Sequence, residues 1–136
     1  MEWDEIEKAM GEFKNYIDAS KQLELAAKYR DGNGVPKDLE KAVELTTKAA
    51  EQGLSEAQHN LGIYFSKGMG VPEDSEKAVY WWTKAAEQGN AGSQAKLGFC
   101  FMLGEGISED LNKARYWLTE AAKQGHEDAK KALSSL

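Results

Sequence analysis

The chain has 136 residues, of which 41% are hydrophobic and 29% charged, with a formal net charge of −6 and a single cysteine, Cys100. This is one domain's worth of chain. Its acidic balance argues against a nucleic-acid partner, which needs clustered Lys and Arg against phosphates, and one thiol cannot form an intrachain disulfide. The opening Met1-Glu2-Trp3-Asp4-Glu5 is acidic where a secretory leader is basic, and no apolar run approaches the length of a membrane span. A soluble, cytoplasmic protein without a membrane partner is expected.

Residues 3–17 carry Trp3, Ile6, Met10, Phe13 and Ile17 at spacings of 3, 4, 3 and 4, one apolar stripe of an amphipathic helix. The chain then repeats every 36 residues: Gly34, Gly70 and Gly106 share a register, as do Asp38, Asp74 and Asp110, then Lys41, Lys77 and Lys113, then Gly53, Gly89 and Gly125. A fixed period in this range marks a stacked array in which each unit buries its apolar face on its neighbours. In that register the first helix falls where a unit's second helix belongs, but Ile17 stands where the units have Gly53, Gly89 and Gly125. It reads as a degenerate terminal cap over residues 1–18.

Each unit has two helical halves. The first covers about residues 19–31, 55–67 and 91–103, marked by Leu25, Leu61 and Leu97, by small Ala26, Gly62 and Gly98, and by Tyr29, Phe65 and Phe101. A small residue one turn before an aromatic lets the partner helix come close, with the ring closing the contact. Paired glycines (Gly32 with Gly34, Gly68 with Gly70, Gly104 with Gly106) stop this half, and Val35-Pro36 and Val71-Pro72 prevent its continuation. Ile107-Ser108 replaces Val-Pro in the last unit, so a looser turn is expected there. Asp38, Asp74 and Asp110 are N-caps of the second halves, which stop at the glycines of the third register. The apolar positions of those halves are Ala42, Leu45 and Ala49, then Ala78, Trp81, Trp82 and Ala85, then Ala114, Trp117, Leu118 and Ala121. The expected layout is eight helices: a cap at 1–18, repeats at 19–54, 55–90 and 91–126, and a closing helix at 127–136.

The pattern Leu-Gly-x-x-Phe, then Gly-x-Gly-Val-Pro-x-Asp, then Lys-Ala-x-x-Trp-x-x-Lys-Ala-Ala-x-Gln-Gly stands best between Leu61 and Gly89. It resembles the Sel-one-like repeat family, relatives of the tetratricopeptide repeat, over about residues 19–133. Departures are Ala26 for Gly, Leu45 for Trp, and Ile107-Ser108 for Val-Pro; the cysteines of the family's disulfide-bearing branch are absent. The resemblance implies an all-α, right-handed α-solenoid superhelix whose first helices line a concave face. It also implies a protein–protein adaptor with no shared catalytic activity.

Candidate chemistry is sparse. His59 and His126 lie 67 residues apart with no convergent metal-ligand spacing, so no metal and no cofactor is expected. Cys100, beside core Phe101, reads as an inert thiol, and no nucleophile–base–orienter set can be assembled, so no enzyme is expected. The Gly-x-Gly pairs follow helices and lack the Gly-Lys-Ser/Thr ending of a phosphate loop. Trp81, Trp82 and Trp117 read as hairpin core, with Tyr80 and Tyr116 partly exposed; Glu73–Lys77 and Glu120–Lys123 read as helix-surface pairs.

If the first helices line a groove, its floor takes Leu23, Glu24, Ala27 and Arg30 from the first unit, and Glu56, His59, Asn60, Ile63 and Lys67 from the second. From the third come Ala95, Lys96, Phe99, Met102 and Leu103. Two readings of Phe99, Met102 and Leu103 stand level: an apolar anchor for a bound segment whose backbone Asn60 and Lys96 hold, or residues covered by the final helix through Leu133 and Leu136. The leading expectation is an adaptor that binds a peptide or protein segment on the concave face. The alternative is an immunity or inhibitor protein that blocks a toxin by surface complementarity, its acidic charge suiting a basic target. The chain is expected to be a monomer or a weak homodimer through its solenoid ends.

Overall fold

The computed structural model describes residues 2–136, in which there are seven α-helices and no strand. They are α1 (Trp3–Asp31), α2 (Leu39–Glu51), α3 (Ser55–Lys67), α4 (Ser75–Glu87), α5 (Ala91–Leu103), α6 (Leu111–Lys123) and α7 (Glu127–Leu133). Three hairpins, α1–α2, α3–α4 and α5–α6, stack in chain order, each second helix packing on the next unit's first helix. The helix α7 closes the series against α6. The result is an all-α solenoid.

The expected eight helices are thus seven. Residues 3–17 and 19–31 form one continuous α1 of 29 residues, so the stretch expected as a separate cap is the projecting first half of that helix. The cause is local: Ile17-Asp18-Ala19-Ser20 contains neither Gly nor Pro, so nothing interrupts the i to i−4 hydrogen-bond ladder. Met1, at the start of the expected cap, lies outside the described residues.

The connections follow the repeat closely. The side chains of Asp38, Asp74 and Asp110 accept from the backbone N–H of Lys41, Lys77 and Lys113 at 3.0, 3.0 and 3.1 Å. Gly32, Gly68 and Gly104 end the first helices in the left-handed region, with φ of 69°, 65° and 70°. The turn at Ile107-Ser108 is as tight as the others, contrary to expectation. Asp110 N–H bonds Phe101 C=O at 2.9 Å, matching 2.8 Å for Asp38 to Tyr29 and for Asp74 to Phe65. That backbone bond and the glycines set the turn, and the prolines are not needed for it.

The core is built on alanine. Ala42, Ala49, Ala78, Ala85, Ala114 and Ala121 are all essentially inaccessible, which brings the paired helices to short separation. Above them one position per unit varies in size. Trp82 lies against Gly62 and Leu118 against Gly98, each filling the volume a Cβ would occupy. In the first unit the same registers hold Ala26 and Thr46, both buried. A larger residue on the first helix therefore goes with a smaller one on the second.

Candidate binding groove

A cavity lies beside the varying position of the first unit. Between α1 and α3 lies a hollow of about 380 Å³, to which α1 contributes Tyr16, Ser20, Leu23, Glu24, Ala27 and Arg30, and α3 contributes Glu56, Asn60 and Tyr64. Thr46 stands at its floor, in the register position that Trp82 and Leu118 hold in the later units. The Thr46 hydroxyl is buried without a hydrogen-bond partner. The neighbouring Thr47, Thr83 and Thr119 hydroxyls instead donate to the carbonyls of Val43, Val79 and Arg115 at 2.7, 2.7 and 2.6 Å.

The groove's charges are unequally engaged. Arg30 donates from Nε and an Nη to Asp31 at 2.9 and 3.0 Å, which raises the guanidinium pKa and lowers that of the carboxylate. Glu24 and Glu56 form none of the ion pairs found among the described residues and are exposed at the rim. Next to the first hollow, Arg30, Asn60, Ile63, Tyr64, Lys67 and Met69 border a smaller one of about 150 Å³. A third, of about 450 Å³ between α3 and α5, is lined by Ser66, Glu73, Trp82, Lys96, Phe99, Cys100 and Glu105 among others. Lys96 Nζ lies 5.8 Å from the centre of the Trp82 ring, within cation–π range.

The structure thus brings Leu23, Glu24, Ala27, Arg30, Glu56 and Asn60 together around one cavity, with Ile63 and Lys67 adjoining and Lys96 and Phe99 in the next groove. Phe99 also meets the core, and the remaining expected groove residues lie outside these hollows. Ala95 is buried in the third core cluster. Phe99 packs on that same cluster with Leu133 and Leu136, Met102 packs on the second cluster, and Leu103 is 59% exposed. His59 turns to the next unit: its Nδ1 lies 2.7 Å from Ser93 Oγ, and burial, with the charge of Lys96 second, lowers its pKa. His126 caps α7, its Nδ1 accepting from Ala129 N–H at 3.2 Å.

Several residues of consequence are not picked out by motif reading. Thr46, Tyr16 and Tyr64 line the cavity. Thr46 was recoverable, because the 36-residue register sets it beside Trp82 and Leu118. Glutamine pairs also tie the two helices of each hairpin: Gln52, Gln88 and Gln124 donate to the side-chain oxygens of Gln22, Gln58 and Gln94 at 2.6, 2.8 and 2.9 Å. Gln58 and Gln94 in turn donate to Ala50 and Ala86 carbonyls at 3.1 and 3.3 Å. The signal was again a 36-residue recurrence, hidden because glutamine has no fixed structural meaning.

The expected pair Glu73–Lys77 does not form. Glu73 lies ahead of the Asp74 N-cap, off the helix, and Lys77 Nζ sits 5.4 Å from the centre of the Phe65 ring; Lys113 repeats this over Phe101 at 5.6 Å. Lys123 and Glu120 do pair, at 3.1 Å. Trp82 is buried, its indole N–H donating to His59 C=O at 3.2 Å, while Trp81 and Trp117 are half-buried with exposed Tyr80 and Tyr116 set edge-on to them. Burial, with Glu105 adding to it, pushes the Cys100 thiol up to about 11. Among the described residues no group of three or more His, Cys, Asp or Glu is placed to hold a metal ion, and no helix is long and apolar enough to cross a membrane.

Stacked hairpins with a groove across their first helices define a tandem-repeat α-solenoid. The Sel1 repeat profile matches residues 22–54, 55–90 and 91–126, and the chain belongs to the Sel1 repeat family. Among solved structures it is similar to a Sel1 repeat protein from Oxalobacter formigenes, with 35% identity, a TM-score of 0.83, and coverage of 85% of this chain and 48% of that one. It is also similar to c5321, a protective antigen present in uropathogenic Escherichia coli strains displaying an SLR fold, with 38% identity, a TM-score of 0.80, and coverage of 82% and 24%. Cysteine rich protein B of Helicobacter pylori shares the fold at 23% identity and a TM-score of 0.72, over 90% of this chain and 95% of that one. The chain therefore spans about half the length of the first of these structures and a quarter of the second. A search among curated proteins finds no match.

Proposed function

We propose that the chain is a non-catalytic protein-interaction module that takes a segment of a partner protein along the concave face formed by α1, α3 and α5. Sel1 repeats generally serve as interaction scaffolds, and this chain carries the fold over most of its length. The observation that carries the reading is the cavity of about 380 Å³ between α1 and α3, with Thr46 at its floor. Leu23, Ala27 and Leu54 supply apolar wall, and Glu24, Glu56 and Asn60 supply polar rim. The uncommitted carboxylates favour a bound residue that is basic at its tip and aliphatic along its stem.

The second unit supplies the test. In the double variant A26G/T46W the first unit acquires the Gly62–Trp82 pair, which puts an indole in place of the Thr46 floor in a combination the fold already accommodates. Peptides selected from a random displayed library on the wild-type chain should be lost on A26G/T46W while helical circular dichroism is unchanged. Equal enrichment on both proteins would move the site away from this groove.

A further inference from the structure

The first half of α1 carries an apolar face whose largest side chains are exposed, with Ile6 and Ile17 half-buried between them. Trp3, Met10 and Phe13 are 78%, 66% and 66% exposed, and no residue of α1 before Ala19 is buried. An isolated helical segment of this length is marginal in water, and a stripe of large apolar side chains along it calls for a partner. Its spacing of 3, 4, 3 and 4 is the heptad seam of a two-helix coiled coil. At about 100° per residue, the seam lies on the side of the helix opposite Ala19 and Ala26, which pack toward α2. A second helix can therefore lie along it without meeting the body of the solenoid.

We infer that this face pairs with the same face of a second copy of the chain, the two helices running antiparallel about a twofold axis between residues 11 and 12. The seam then closes in layers: Met10 on Phe13 of the second copy, Ile6 on Ile17, and Trp3 on Ser20. Charge selects this arrangement. On one flank Glu7 comes to face Lys14 of the second copy, twice by symmetry, and on the other Ala9 faces Tyr16. Sliding the antiparallel pair by one heptad toward the N-terminus sets Glu7 against Glu7 and leaves Ile17 out of the seam. A parallel pair sets Glu2 against Glu7. Of these three registers, only the first joins opposite charges. Each copy contributes fewer residues than the roughly 20–30 of a standard interface, so the dimer is dissociable and grows in with concentration.

Sedimentation equilibrium of the full chain over a wide concentration range tests this. Wild type should pass from monomer to dimer mass, and the exposed-site double variant M10E/F13E should stay monomeric with its repeat helices intact by circular dichroism. E7K and K14E should each weaken the dimer at least several-fold, and E7K/K14E together should restore it, because the swap rebuilds both cross-pairs. Wild type that stays monomeric, a dimer indifferent to M10E/F13E, or a failed charge-swap rescue would each overturn the inference. A dimer strengthened by E7K would also overturn it, in favour of the parallel pair. Tyr16 and Ser20 border both surfaces, but sedimentation is read without peptide, so a failed dimer leaves the groove reading standing.

Discussion

The indole of Trp82 occupies the space where a side chain on Gly62 would begin, and its N–H donates to His59 C=O at 3.2 Å, within the same helix as that glycine. One residue's absence of a Cβ is thus the other's binding pocket. Gly62→Ala should destabilise the chain by about 1–3 kcal/mol, the range for overpacking a filled core, despite alanine's better helix propensity. Gly11→Ala is the control, since nothing lies within 4 Å of a Cβ built there. It should raise helicity in the projecting half of α1, by about 1 kcal/mol of local propensity. Chemical denaturation reads the first, and amide hydrogen exchange over residues 3–17 reads the second. Equal effects of opposite expectation, a stabilising Gly62→Ala above all, would refute the packing account.

Gly34 and Gly106 separate backbone strain from contact between units. Both have positive φ, of 80° and 69°, but a Cβ on Gly106 would collide with the Ser75 carbonyl of the preceding hairpin, whereas one on Gly34 meets nothing within 4 Å. Gly34→Ala should therefore cost only the left-handed penalty of about 1–2 kcal/mol. Gly106→Ala should cost clearly more, measured as the difference in denaturation midpoint. Equal losses would mean that the inter-unit contact carries no energy.

His59 makes stability depend on pH with a definite sign. Burial, then the charge of Lys96, lowers its pKa in the folded chain below the unfolded value of about 6.5. The unfolded state thus takes up the proton first. The contribution is complete above the unfolded pKa and is lost as pH falls from there through the folded value. Wild type should lose more stability than His59→Asn between pH 7.5 and pH 5.5, roughly the window that brackets the unfolded pKa. Parallel losses in the two proteins would remove His59 as the cause.

Cys100 should be slow toward alkylating reagents at neutral pH, because its thiol is buried and its pKa is pushed up to about 11. Denaturant should release the reaction, and its rate should follow the unfolded fraction. Rapid labelling of the native chain would show that α5 opens locally or that the thiol is activated.

The hairpins and their order are legible in the chain because they depend on signals that act within a few residues. Asp38, Asp74 and Asp110 as N-caps, the glycine stops, and the buried alanines of the second helices were all legible, as was the burial of Trp82 and the exposure of Tyr80 and Tyr116. The period of 36 residues made each local reading hold three times over. Even the continuous α1 had its cause in plain view at Ile17, where a glycine stop is missing; the helix count went astray by carrying the repeat past the point where its signals end.

What occupies the space between helices depends on the stacking of the hairpins. Glu24 and Arg30 belong to α1 and Glu56 and Asn60 to α3, and only the stacking of these helices, with Thr46 of α2 beneath, sets them around one cavity. Phe99 likewise packs on the third core cluster, and Ala95 is buried within it beside Ala129 of α7. Helix periodicity tells which way a side chain points. Volume and burial are sums over neighbours brought together from distant parts of the chain, so they exist only once the hairpins have stacked.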